Sequence, residues 1–172
     1  MCSITIGMVG LGQIGLPIAA NTDIQFRIGE LGSALAMKLI TNYLLTIHTL
    51  AAAEALNLGV HAGFSADKVV EVIRQSAGDS TMFSMRAPMM ASRSFQPAPG
   101  PLALRLASEL VEEPGCASPL FSVAQSYFLR AFIEGMGDED ISAVIKLIEA
   151  DSHAVRSRKE LKMQATFSLN AR

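Results

Sequence analysis

A chain of 172 residues that is half hydrophobic and carries a formal net charge of −2 holds enough apolar content for one generous core or two small ones, and it reads as globular. The mildly acidic balance, with no basic run longer than Arg158-Lys159, excludes a nucleic-acid binder, because phosphate affinity rests on a concentrated Lys/Arg patch. Two cysteines far apart in sequence, Cys2 and Cys116, fit a reducing, cytoplasmic setting and imply neither a disulfide framework nor a metal site.

Residues 4 to 9, Ile-Thr-Ile-Gly-Met-Val, predict a buried parallel strand, and 13 to about 20 a short helix. Between them lies Gly10-Leu11-Gly12-Gln13-Ile14-Gly15, the G-x-G-x-x-G spacing that a dinucleotide pyrophosphate needs between a strand and a helix. Gly10 permits the tight turn, Gly12 lets backbone approach the phosphates, and Gly15 lets the helix pack on the strand with its N-terminus facing the anion. The cofactor-binding candidates are therefore Gly10, Leu11, Gly12, Gln13, Ile14 and Gly15. These residues lack the basic leader of a secretory signal. Asp23 to Ile28 alternates polar and apolar residues and predicts a second strand, closed by Gly29.

Ser33 supplies an N-cap, after which Ala34 to about Gly59 predicts one long helix without a proline. The stretch is apolar enough to suggest a membrane span, but Lys38, Asn42, His48 and Glu54 interrupt it and favour a buried helix of a soluble protein. Ser65 caps a helix over 66 to 76, closed by Gly78. Thr81 to Ser92 predicts another, which Pro88 should kink or split. Gln96 to Pro101 is a rigid extended segment, Leu102 to Glu113 resumes a helix, and Pro119 opens a further one that stops near Gly135-Met136-Gly137. Asp140 caps the last, 141 to about 151, and the tail 164 to 172 has no periodicity.

On a helical wheel the long helix is apolar over most of its circumference, yet Lys38, Asn42, Thr46 and Thr49 share one narrow arc. A lysine and an asparagine at i and i+4 can point together into a cleft, the ammonium as proton donor or oxyanion holder and the amide as its orienting partner. By spacing alone the plainer reading stands beside it: a snorkelling Lys38, and an Asn42 that bonds a neighbouring backbone group. His48, His61 and His153 lack partners at metal spacing, and His48 reads as a core or interface residue. Met82, Met85, Met89 and Met90 suit irregular packing between helices. Glu112-Glu113 and Asp138-Glu139-Asp140 read as a solvated helix end and an N-terminal cap.

GLGQIGLPIAAN, Gly10 to Asn21, matches G-x-G-x-x-G-x-P-x-A-x-N, and Gly29 to Asn42 matches G-x-x-G-S-x-x-x-x-K-L-x-x-N. With Ser76-Ala77-Gly78, Pro119-Leu120 and Asp140-Ile141-Ser142-Ala143-Val144-Ile145, these motifs resemble the β-hydroxyacid dehydrogenases, typified by 3-hydroxyisobutyrate dehydrogenase and related to 6-phosphogluconate dehydrogenase. The resemblance covers residue 3 to about 150. It implies NAD or NADP as cofactor, a small 3-hydroxy acid as substrate, Lys38 as general acid/base on the substrate hydroxyl and Asn42 as the residue that positions it. Hydride transfer from a hydroxy-bearing carbon needs a group to take the hydroxyl proton, a task that suits a lysine in a closing, partly desolvated cleft.

The fold expected from the resemblance is mainly α. A residual Rossmann-like β-α-β piece over 1–31 precedes a 6-phosphogluconate-dehydrogenase-like helical domain over 32–163 and a loose tail over 164–172. Two departures bear on activity. In the family roughly 100 residues or more of nucleotide fold separate the glycine loop from the lysine signature, whereas here about a dozen separate Ala20 from Gly32. The family's Lys-Asp pair after the extended segment is replaced by Leu102-Ala103-Leu104-Arg105. The shortened piece offers little cofactor surface. The alternative reading is therefore a catalytically inactive helical dimerisation or interaction module, and a homo-oligomer through the helical domain is expected on either reading, with no nucleic-acid or membrane partner.

Overall fold

The computed structural model describes residues 33–97 and 117–153. The expected strands over 4 to 9 and 23 to 28, the short helix, the glycine loop, the helix over 102 to 113 and the tail lie outside the described residues. Those described are helical, with no strand among them: α1 (Ser33–His61), α2 (Ala66–Ile73), α3 (Thr81–Ser92), α4 (Pro119–Ile133), a 3-10 turn (Ile141–Val144) and α5 (145–153).

Helix α1 is the spine, and α2, α3, α4 and the 3-10 turn all pack on it. At 1.5 Å per residue its 29 residues span about 43 Å. One side carries Leu50, Ala53 and Leu56 into a core completed by Val70 of α2, Phe83, Ala87 and Met90 of α3, Ala124 and Phe128 of α4, and Ile145 and Ile148 of α5. The stretch Ala36–His61 is long and apolar enough to cross a membrane by length and composition, and 44% of an 18-residue apolar segment within it is buried inside the protein. Burial of one side by neighbouring helices is the arrangement expected of a core helix.

The ends of the helices follow from local chemistry. The Ser65 and Ser80 hydroxyls accept from the backbone N–H groups of Lys68 and Phe83, so each satisfies one orphan donor at the start of α2 and α3. Helix α1 ends where Gly63 takes a φ of 96°, the left-handed conformation that lets Phe64 N–H reach back to the Gly59 carbonyl. Gly135, with a φ of 85°, ends α4 in the same way. Arg93 fills that position in α3 with a φ of 57°, where a side chain is costly, and its guanidinium bonds Glu149 of α5 at 2.6 Å.

Two expectations change. Helix α3 runs unbroken through Pro88, because Phe83, Ala87 and Met90 are all buried and tertiary packing holds the helix despite the missing backbone donor. The expected helix over 66 to 76 stops at Ile73, and Ser76 closes a turn by donating its hydroxyl to the Ile73 carbonyl. Among the methionines, Met90 is buried and Met82 and Met89 are partly so, while Met85 faces solvent. Asp140 does cap, accepting from Ser142 N–H, and it is also fully buried against the Arg86 guanidinium of α3.

Gly59 lies where α1 and α2 meet, and a Cβ built there overlaps Val69 Cγ2. Gly59→Ala gains about 1 kcal/mol of helix propensity, but it forces a stiff, buried β-branched neighbour to move, at about 1–3 kcal/mol. Urea unfolding is expected to show a net loss of stability, and Gly59→Ala with Val69→Ala is expected to recover part of it.

Tyr127 of α4 donates to Asp151 of α5 at 3.3 Å, and Arg130 bonds the same carboxylate at 2.7 Å. Burial, and then the Asp151 charge, push the Tyr127 phenol above its ordinary value of 10.0. The fold therefore favours the protonated phenol, and the stability it contributes is complete below the unfolded pKa and lost as pH rises through the folded one. In a Tyr43→Phe background, ultraviolet titration of the remaining phenol is expected to move back toward 10.0 when Asp151 is replaced by Asn.

Candidate functional site

The polar arc of α1 becomes a gradient in three dimensions. Lys38 is exposed, Asn42 is half-buried, and Thr46 and Thr49 are fully buried. The threonines do not open into a site: Thr46 Oγ1 donates to the Asn42 carbonyl at 2.8 Å, and Thr49 Oγ1 to the Leu45 carbonyl at 2.7 Å. Their hydroxyls are thereby satisfied within the helix. The chemically available part of the arc is its first two members, Lys38 and Asn42, one turn or about 6 Å apart along the axis.

Asn42 is the informative residue of the pair. Its Nδ2 is buried and has no hydrogen-bond partner among the described residues. A buried amide donor left unpaired costs about 1–3 kcal/mol, so a native chain seldom carries one unless something else uses it. Among the described residues, no backbone group takes a bond from the Asn42 amide nitrogen. Next to it, Tyr43 stacks on the buried Phe121 of α4, with ring centroids 5.5 Å apart and planes 27° from parallel, which fixes the rotation of this segment of α1. Lys38 forms no ion pair among the described residues.

The remaining candidates fall apart in space or outside the description. Gly10, Leu11, Gly12, Gln13, Ile14 and Gly15 lie outside the described residues. His48 is half-buried on α1, and His61 Nδ1 pairs with the Asn57 carbonyl at 2.9 Å at the far end of the helix. Among the described residues no three His, Cys, Asp or Glu side chains gather as a metal site would require.

A groove of about 280 Å³ opens at the opposite end of α1, between Leu56, Val60, Phe64, Met90 and Ile145, with Asn57, Arg93 and Glu149 as its polar members. Asn57 Nδ2 donates to Ser152 Oγ at 2.8 Å, so its amide is occupied. The 19 residues from Lys38 to Asn57 put the groove about 28 Å from the lysine along the helix. Sequence reasoning missed this groove and also the Arg86–Asp140 pair. Neither has a local signature, because each is assembled from residues far apart in the chain. Asp140 alone was legible, as a cap.

Comparison with known proteins bears on the same segment. Residues 32–148 match the family described as NAD-binding of NADP-dependent 3-hydroxyisobutyrate dehydrogenase. The chain is 33% identical over 131 residues to glyoxylate/succinic semialdehyde reductase 2, chloroplastic, of Arabidopsis thaliana, covering 73% of this chain and 36% of that protein. It is 33% identical over 135 residues to L-threonate dehydrogenase of Cupriavidus necator, covering 76% and 46%. Among solved structures, 3-hydroxyisobutyrate dehydrogenase of Salmonella typhimurium superposes with a TM-score of 0.66 at 32% identity, over 71% of this chain and 45% of that one. The enzyme of the same name from Mycobacterium tuberculosis, solved with L-serine, gives 0.67 at 27% identity, over 82% and 54%. The chain spans less than half the length of these curated relatives.

If the Asn42 amide is held for a ligand, it should cost the empty protein stability. Asn42→Leu removes the unpaired donor from a half-apolar setting, and chemical denaturation is expected to show about 1 kcal/mol of added stability. Asn42→Asp, which buries a charge in the same place, is expected to lose stability.

Proposed function

The chain belongs to the NAD-binding family of NADP-dependent 3-hydroxyisobutyrate dehydrogenase, and from that premise we propose that Lys38 and Asn42 are the acid/base half of a site for oxidation of a small 3-hydroxy acid with NAD or NADP. One observation supports the reading above others. A buried amide donor without a partner among the described residues lies one helical turn from an exposed lysine, within the segment that matches the family.

The described residues fit a hydroxy acid beside a nicotinamide in their donor chemistry. Asn42 Nδ2 supplies a hydrogen bond to the substrate oxygen and orients it, which satisfies the donor that is otherwise orphaned. Lys38 Nζ, as the free amine, takes the hydroxyl proton while the carbinol carbon gives up hydride, and returns it in the reverse direction. NAD(P), when bound, supplies the hydride acceptor. Gly10, Gly12 and Gly15 are the residues for its pyrophosphate on this reading. Tyr43, locked on Phe121, holds both working side chains at a fixed azimuth on α1. The substrates named for the relatives, glyoxylate, succinic semialdehyde, L-threonate and 3-hydroxyisobutyrate, are small oxygen-rich acids and aldehydes, and that class is the one to screen.

Two measurements test the reading. NADH or NADPH at a hundred times its dissociation constant should stabilise the chain by about 2.7 kcal/mol, seen as a raised melting temperature, and a flat thermal shift with unchanged cofactor fluorescence would sink cofactor binding. In a chain that turns over 3-hydroxy acids, Lys38→Ala is expected to lower kcat by about 10²–10⁴-fold with cofactor binding retained. Turnover unaffected by that change would remove Lys38 from the mechanism.

A further inference from the structure

The methionines of α3 meet unlike surroundings. Met90 is buried in the core, Met85 is 53% exposed, and Met82 and Met89 lie between these extremes. Among the described residues only the Met89 sulfur accepts a hydrogen bond, from Arg86 Nη1 one turn earlier on the helix, at 3.6 Å. The same nitrogen gives its other proton to Asp140 Oδ2. A thioether is a weak acceptor, whereas the guanidinium is a permanently charged donor, and the Arg86 side chain is only 18% exposed. A strong donor in a partly desolvated place is therefore spent on a weak acceptor. Oxygen on the sulfur would use it fully. With an S–O bond of about 1.5 Å and a charge-assisted N–H···O separation of about 2.8 Å, a bent S–O···N bridge spans about 3.7 Å from sulfur to nitrogen. The observed separation of 3.6 Å accommodates it with both atoms where they stand.

We propose that Met89 is a site of reversible oxidation by hydrogen peroxide, its sulfoxide held by Arg86. The Sδ lone pair that faces the guanidinium attacks one peroxide oxygen. The S–O bond forms, the O–O bond breaks, and the departing hydroxide takes the proton of the sulfur-bound hydroxyl and leaves as water. Sulfur loses two electrons and the peroxide gains them. Arg86 Nη1 donates to the peroxide as charge builds on the leaving oxygen, and afterwards to the sulfoxide. Attack through one lone pair yields one epimer, and each epimer has its own reductase, so the change is reversible. A sulfoxide ordinarily disrupts packing because it puts a polar group in apolar surroundings. At Met89 the new oxygen meets a charged donor, while Asp140 keeps the other Nη1 proton. Oxidation thereby tightens the joint between α3 and the 3-10 turn.

None of this rests on turnover at Lys38, and the test is separate from that of the proposed activity. Brief treatment of the full chain with hydrogen peroxide, followed by digestion and tandem mass spectrometry, reads each methionine by itself. Met89 is expected to oxidise within about tenfold of the rate of exposed Met85, and Met90 at least about tenfold more slowly than Met89. When the digested peptides are given a reductase specific for one sulfoxide epimer, Met89 is expected to be restored by only one of the two enzymes and Met85 in part by each. Met89→Gln, whose amide oxygen stands in for that of the sulfoxide, is expected to melt at a higher temperature than Met89→Leu. Oxidation of Met89 as slow as that of Met90, an even mixture of Met89 epimers, or a glutamine variant no more stable than the leucine variant overturns the proposal.

Discussion

Small side chains on the inner face of α1 are the constraint that the rest of the structure depends on. Ala52 and Ala53 on this helix and Ala87 on α3 are almost wholly buried, so the backbones of the spine and its main neighbour come close. Gly59 extends the same logic to α2, whose Val69 occupies the space a Cβ would fill. Close approach lets Leu56, Met90, Phe83 and Ile145 meet in one core. The same helix carries Lys38 and Asn42 at one end and the groove at the other.

Charge adds specificity on top of that packing. Asp140 is buried and Arg86 partly so, a pairing whose desolvation cost largely offsets its attraction. Its value is geometric: Asp140 binds the guanidinium and caps the 3-10 turn with the same carboxylate, so α3 and the final helix are held in one register. The partly exposed pairs Arg93–Glu149 and Lys146–Glu139 contribute less. Lys146 also lies 4.8 Å above the Phe95 ring, which ties the end of the first described segment to the second.

What could be read from the sequence depended on how local the determinants were. The spans of α1 and α4 and the caps at Ser65 and Asp140 follow from proline, glycine, serine and aspartate within one turn of each helix end, and those expectations agree with the structure. Pro88 does not split α3, because its local cost is outweighed by burial contributed from elsewhere in the fold. The Asn42 amide could not have been read as unpartnered from spacing, which is silent on what the facing helices offer. The groove and the Arg86–Asp140 pair join residues with no sequence relation. The family resemblance was legible from a few motif positions, and the match over residues 32–148 agrees with it.

The two described stretches, 33–97 and 117–153, meet through Arg86 with Asp140, Arg93 with Glu149 and Lys146 with Phe95. The halves are thus riveted to each other through space, on both sides of the connection between Pro97 and Ala117. A break in the chain between the two stretches would leave these contacts, none of which runs through the backbone, to hold the halves together.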